Sequence, residues 1–275
     1  MKILIVICLL VVLIGFYLYL ICPNINRKRK NAMQAFEKVY IAHRGFFDNK
    51  NGIPENSLPA FQKAVDAGLG IELDVQLSKD GYLLVFHDED LKRMCGVDKK
   101  IRELNYAEIQ QYTLHDTQER IPLFGEVLKI INGKIPLIVE VKYEGDVIAA
   151  TKAMAEMMDN YSGIWCMESF HPRAVQWFKK NRPQIIRGQL STEYKKDGLE
   201  LTGLTSFMLS NLMYNNLGRP DFIAYNHKYY NNLSLSICRL LFSPEIVAWT
   251  IKNPTEMEMA KKHHFDVIIF DNFNP

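Results

Sequence analysis

The chain has 275 residues, 48% of them hydrophobic, and a formal charge of +2, which suits one folded domain with an appendage. No basic excess supports nucleic-acid binding, so that class is excluded. Cys8 and Cys22 fall near the N-terminus, leaving Cys95, Cys166 and Cys238 for the rest, without CxxC spacing. That pattern predicts neither a disulfide framework nor a zinc knuckle.

The appendage is residues 3–22, "ILIVICLLVVLIGFYLYLIC", without a charged side chain. A helix needs about 20 apolar residues, rising roughly 1.5 Å each, to cross about 30 Å of hydrocarbon, and this run supplies them. A cleaved signal peptide has a shorter apolar core and small residues at its cleavage site. Here the run ends in bulky "LYLICPN", which favours an uncleaved single-pass membrane anchor and also disfavours a lipoprotein. Residues 27–30, "RKRK", follow, against only Lys2 and the amino terminus on the other side. Positive flanks stay cytoplasmic, so the domain is expected in the cytoplasm, joined by a basic juxtamembrane linker over 23–38. The same bases would attract anionic headgroups.

From residue 39 onward short apolar runs alternate with amphipathic segments, the rhythm of an α/β protein. Strands are predicted at 39–45, 70–77, 82–88, 135–142, 163–170, 185–190, 221–226, 245–251 and 266–272. Helices are predicted at 58–67, 106–112, 124–131, 146–158, 172–180 and 255–263, with Ser57, Asn105 and Asn253 as caps. The length and alternation predict a (β/α)8 TIM-type barrel over 39–275, with one strand candidate to spare. Residues 191–220 are too long for a simple loop and have a helical apolar rhythm over 204–217. They predict an inserted helix or lid near the barrel mouth, or else an ordinary long barrel helix.

Side chains alternate along a strand, so in "IELDVQL" Glu72 and Asp74 share one face. "IVEVK" places Glu140 and Lys142 likewise, and His43 and Arg44 end "VYIAHRG". The four residues "SKDG" are too short for a parallel crossover, so 70–77 and 82–88 form a hairpin that brings Glu72 roughly opposite His87. Converging carboxylates repel by about 4 kcal/mol per pair at 4 Å and an effective dielectric near 20. Protons, Lys142 with Arg44, or a divalent metal must offset this. Oxygen ligands from Glu72, Asp74 and Glu140 suit Ca2+ or Mg2+ better than zinc, leaving His43 and His87 for acid and base work.

The motifs "AHRG", "PENSLPAF", "IELDVQLSKDG", "VFHD" and "VEVK" resemble, in order and spacing, the signatures of the glycerophosphodiester phosphodiesterases, and "AWTI" and "FDVIIFDN" resemble that family's closing strands. The resemblance implies a phospholipase-C-like (PLC-like) phosphodiesterase barrel that uses one divalent cation, Ca2+ or Mg2+, to cleave a glycerophosphodiester into glycerol 3-phosphate and an alcohol. It implies His43 and His87 as the acid/base pair and Glu72, Asp74 and Glu140 as metal ligands. Arg44 and Lys142 would contact phosphate, Glu55 and Asn56 would shape the substrate site, and Trp249 would line it unless it packs in the core. Ser57 and Val141 stand where Thr and Leu are commoner, neither touching the chemistry. An anchored relative acting on lysophospholipids is the alternative, and a non-catalytic membrane-anchored binding module ranks below it. A metal-dependent amidohydrolase would want H-x-H where His43-Arg44-Gly45 stands, and a glycosidase would not need the histidines.

Overall fold

A computed structural model describes residues 1–26, 29, 31–199, 201–271 and 273–275. Its elements run α1 (Lys2–Ile21), β1 (Ile41–His43), α2 (Leu58–Asp66), β2 (Gly70–Leu77), β3 (Leu83–Val85), α3 (Phe124–Ile131), β4 (Leu137–Val141), α4 (Val147–Met158) and β5 (Trp165–Ser169). They continue α5 (Pro172–Asn181), β6 (Arg187–Ser191), α6 (Gly203–Ser210), α7 (Asn215–Gly218), β7 (Phe222–Asn226), α8 (Leu233–Phe242), β8 (Glu245–Ile251), α9 (Pro254–Lys262) and β9 (Val267–Phe270). Among the described residues the strands form one sheet ordered β1-β9-β8-β7-β6-β5-β4-β2-β3, and β1 also pairs with β2. That pairing closes eight parallel strands into a barrel. The spare strand of the sequence count is β3, which hangs antiparallel on β2.

Alternation divides the apolar residues into two cores. Ile71, Leu73 and Val75 of β2 face outward and pack with Ala64, Phe61 and Val127 of the surrounding helices. Ile41, Ile138, Cys166, Phe222, Val247 and Val267 face inward and fill the barrel. Gly188 matters to this filling, because a Cβ there would lie 2.2 Å from the Phe222 ring.

The helices begin where capping side chains meet exposed amides. Ser57 Oγ accepts from Ala60 N (3.4 Å), and Asn253 Oδ1 accepts from Glu256 N (2.9 Å). At residue 105 the exchange runs the other way, Asn105 N donating to Glu108 Oε2 at 2.8 Å. The helix expected over 106–112 is a single turn, Tyr106–Ile109. The 191–220 segment is the β6–β7 crossover, its helix split into α6 and α7; Glu200 within it lies outside the described residues. Helix α8 was not predicted, because its opening Leu233-Ser234-Leu235-Ser236 alternates with a strand's period.

The apolar helix α1 has mean hydropathy 3.1 and is long enough to span a bilayer. Of the basic run after it, Arg29 is described; Arg27, Lys28 and Lys30 lie outside the described residues, as does Asn272 at the end of the last predicted strand. Arg29 is held by the barrel, pairing with Asp221 at 2.6 Å and donating to the Pro183 and Ile185 carbonyls. Its guanidinium is therefore committed to protein rather than held out to headgroups.

Candidate functional site

The inward-facing residues change character along each strand. Toward the strand starts they are mostly apolar, Glu245 of β8 excepted; farther along they are His43 (β1), Glu72 and Asp74 (β2), Glu140 (β4), Glu168 (β5) and Trp249 (β8). Parallel register aligns them across the wall, with His43 opposite Glu72, Asp74 opposite Glu140, and Glu140 opposite Glu168. A cavity of about 80 Å3 opens there, lined by His43, Arg44, Glu72, His87, Glu140 and Glu168, among others. Barrel active sites occupy this end.

One oxygen each from Glu72, Asp74 and Glu140 lies within 4.8 Å of the others, and all three residues are buried. Lys142, one residue beyond β4, places Nζ 3.0 Å from Glu140 and 3.6 Å from Asp74, inside the acidic group. Burial, then the charges of Asp74 and Glu140, raises the Glu72 carboxyl well above its ordinary value. Burial raises Glu140 and Glu168 as well. It works in the same direction on Asp74, but the charges of His87, Lys142 and Arg44 prevail and hold that carboxyl low. Acids crowded this way are relieved by protons or by a divalent cation. Asp74 Oδ1 is buried without a hydrogen-bond partner, a hard oxygen donor beside two more, so the residues fit such an ion.

The loop after β1 holds these acids in place. Arg44 has φ +56°, in the left-handed region, and its amide donates to Glu72 Oε2 at 3.2 Å. Its guanidinium donates to Glu55 Oε1 at 2.6 Å and lies 3.5 Å from Asp74. Asn56, with φ +53°, donates from Nδ2 to Asp74 Oδ2 at 3.0 Å. Glu55 is buried behind Arg44, its carboxylate shared with Arg93, and not turned to the cavity. Burial opposes its ionisation, yet Arg93 and Arg44 draw it down to about 2. Trp249 lines the cavity and meets Phe170 edge-on at 5.4 Å.

Each histidine has a carboxylate against Nδ1. For His43 it is Asp271, at 3.3 Å; for His87 it is Asp88, at 2.6 Å, itself gripped by Arg93. An Nδ1–H donated to a carboxylate leaves Nε2 to the cavity, and His43 Nε2 stands 3.9 Å from Glu72. Burial, then the Lys142 charge, pushes the His87 imidazole down to about 4. The β2–β3 hairpin delivers His87, though one residue out of the expected register. Val75 pairs with Val85, which extended outward sets Glu72 opposite Asp88. The carboxylate whose charge His87 meets is Asp74.

Four groups escaped the sequence reading. Glu168 shares the inward parity of Glu140, and its place in "WCMES" was a usable signal. Asp88 and Arg93 were visible only once the chain after β3 was seen to fold back on Glu55. Asp271 reaches His43 from 228 positions away, through closure of the barrel.

Comparisons with known proteins agree with this geometry. Residues 43–274 match the model of the glycerophosphoryl diester phosphodiesterase family. A glycerophosphodiester phosphodiesterase of Caldanaerobacter subterraneus is 36% identical over 165 residues, covering 55% of this chain and 66% of that protein. A human lysophospholipase D is 29% identical over 213 residues, covering 71% of this chain and 65% of that protein. The chain thus matches slightly less than two thirds of the length of these relatives. Among solved structures, the Thermotoga maritima glycerophosphodiester phosphodiesterase superposes with TM-score 0.65 at 26% identity, covering 85% of this chain and 95% of that one. With a family match over most of its length and the barrel to accompany it, the chain belongs to the glycerophosphoryl diester phosphodiesterase family.

Proposed function

We propose that the chain hydrolyses glycerophosphodiesters to glycerol 3-phosphate and an alcohol, with His43 and His87 as the acid/base pair. The observation that carries this reading is two carboxylate-backed imidazoles on one cavity with three converging acids. Glu72, Asp74 and Glu140 would hold a divalent cation, Ca2+ or Mg2+, which when bound neutralises charge on the phosphate oxygens. Arg44 and Lys142 are the cations within reach of a phosphate placed beside the acids, and Arg44 suits a bidentate contact. Trp249 would pack against the substrate, and Glu55 and Asn56 act behind Arg44 and Asp74. His87, neutral near pH 7, is suited to take the proton of the attacking water or neighbouring substrate hydroxyl, and His43 to return one to the leaving alkoxide.

The chain is further read as single-pass, its barrel on the cytoplasmic side by the charge difference between Lys2 and residues 27–30. A lysophospholipase-D-type activity is the second reading. A larger apolar cavity beside the site and the human relative's name favour it.

The test is turnover of glycerophosphocholine by the full chain in detergent, with Ca2+, Mg2+ or chelator. His43→Ala and His87→Ala each should lower kcat by about 100-fold or more with circular dichroism unchanged. Near-normal turnover in both variants, or activity indifferent to chelation, would sink the assignment.

A further inference from the structure

A second cavity, of about 600 Å3, is distinct from the catalytic one. Its lining is chiefly aromatic and aliphatic, from Phe170, Tyr194, Leu199, Leu209, Tyr214 and Leu217 among others, a size and character suited to an apolar ligand. Phe170 also lines the catalytic cavity, so the two sites adjoin. Leu204 (71% exposed) and Phe207 (57%) stand free on α6, above the end of β6.

Helix α1 fixes where this apolar rim faces. Tyr17 Oη meets Ser234 Oγ at 2.7 Å, the Ile21 carbonyl accepts from Cys238 Sγ at 3.4 Å, and Asn24 lies with Phe242 and Ser243. The contacts descend α8 in step, so α1 runs parallel to it. Because α8 starts just after the C-terminal end of β7, its first turn is at the barrel mouth. The residues of α1 before Tyr17 therefore project beyond the mouth. The junction is built in: Ile21 is fully buried, Asn215 Nδ2 also donates to its carbonyl at 3.0 Å, and Arg219 donates to that of Cys22 at 2.9 Å. Ahead of Tyr17 the helix rises roughly 22 Å, short of a hydrocarbon layer of about 30 Å. The exposed Leu204 and Phe207 beside the mouth would make up the difference by lying in the interface.

We propose that α1 is a retained anchor that clamps the barrel with its catalytic mouth against the bilayer, and that the apolar cavity beside Phe170 receives the acyl chain of a lysophospholipid arriving from the lipid. This rests on the phosphodiesterase reading and narrows its substrate: the bond cleaved is the same, between phosphate and head-group alcohol, with water supplying hydroxyl to phosphorus and a proton to the alcohol.

The experiment uses the full chain in phosphatidylcholine nanodiscs with Ca2+ or Mg2+, measuring choline release from lysophosphatidylcholine and from glycerophosphocholine. Lysophosphatidylcholine should be preferred at least ten-fold in kcat/KM. Leu209→Trp and Leu217→Trp should each cut that preference at least ten-fold. Leu204→Glu with Phe207→Glu should lower lysophosphatidylcholine turnover about ten-fold, whereas Leu240→Glu, at the far end of α8, leaves it within two-fold. Equal use of both substrates, a preference untouched by the tryptophans, or an equal loss from Leu240→Glu would overturn the proposal while leaving the phosphodiesterase reading intact. Failure to cleave either substrate overturns both.

Discussion

Glu55 shows how a buried residue supports the site from one layer away. Its carboxylate is ionised down to about pH 2, against an ordinary value of 4.5, because two guanidiniums clasp it. A carboxyl whose folded pKa is depressed lends stability above its unfolded pKa and loses it as pH falls toward the folded one. The window is thus from about pH 4.5 down to about 2. The full shift corresponds to up to about 3 kcal/mol, reduced by solvent screening at the half-exposed Arg93. Urea denaturation across this window should show stability falling with acid in the parent chain and a flatter dependence in Glu55→Gln. The same variant should also lose turnover, since Arg44 is freed; equal slopes in the two chains would deny the clasp this role. Glu72, Asp74 and Glu140 were legible because strand parity points them inward, and His43 and His87 because a strand end and the β2–β3 hairpin bring them to the same end. Asp271 and Arg93 were not, because their partners are set by barrel closure and by a loop whose path no local pattern fixes.

The β2–β3 hairpin was legible as an element because four residues leave no room for a crossover. Its exact register was not, since that depends on which hydrogen bonds close the turn. Here Ser78 N donates to the Tyr82 carbonyl at 2.9 Å, Gly81 N donates to the Ser78 carbonyl at 3.1 Å, and Ser78 Oγ accepts from Tyr82 N at 2.9 Å. Gly81 sits at φ +84°, a conformation that costs an L residue about 1 kcal/mol or more. Nothing lies within 4 Å of where its Cβ would be, so conformation is the whole of the effect. Gly81→Ala should therefore lower unfolding free energy by about 1 kcal/mol while the folded fraction keeps its turnover. A neutral substitution would mean the turn relaxes to another form, and a lost activity would mean that His87 is positioned by the turn itself.

At the scale of the whole molecule, the stretch between the apolar helix and the first strand is the part that sequence treats as a tether and structure as a brace. Asn24 and Arg29 both converge on Asp221, whose side chain is 2% exposed at the start of β7. Among the described residues, Asp221 keeps the Arg187 amide at 3.1 Å and a long Arg187 ion pair at 3.7 Å if those two are removed. A buried carboxylate deprived of its main cation is strongly destabilising, on the order of 3 kcal/mol or more. A chain beginning at residue 23 loses the burial of Ile21 but keeps both partners of Asp221; one beginning at residue 31 loses both. The second should unfold at a markedly lower urea concentration than the first, and Arg29→Ala in the full chain should reproduce much of the difference. Coincident unfolding of the two truncated chains would show that Asp221 is satisfied from within the barrel and that residues 23–30 serve only as a linker. A difference of the expected size would instead place the boundary of the folding unit at residue 23, the point where the anchor ends and the barrel begins.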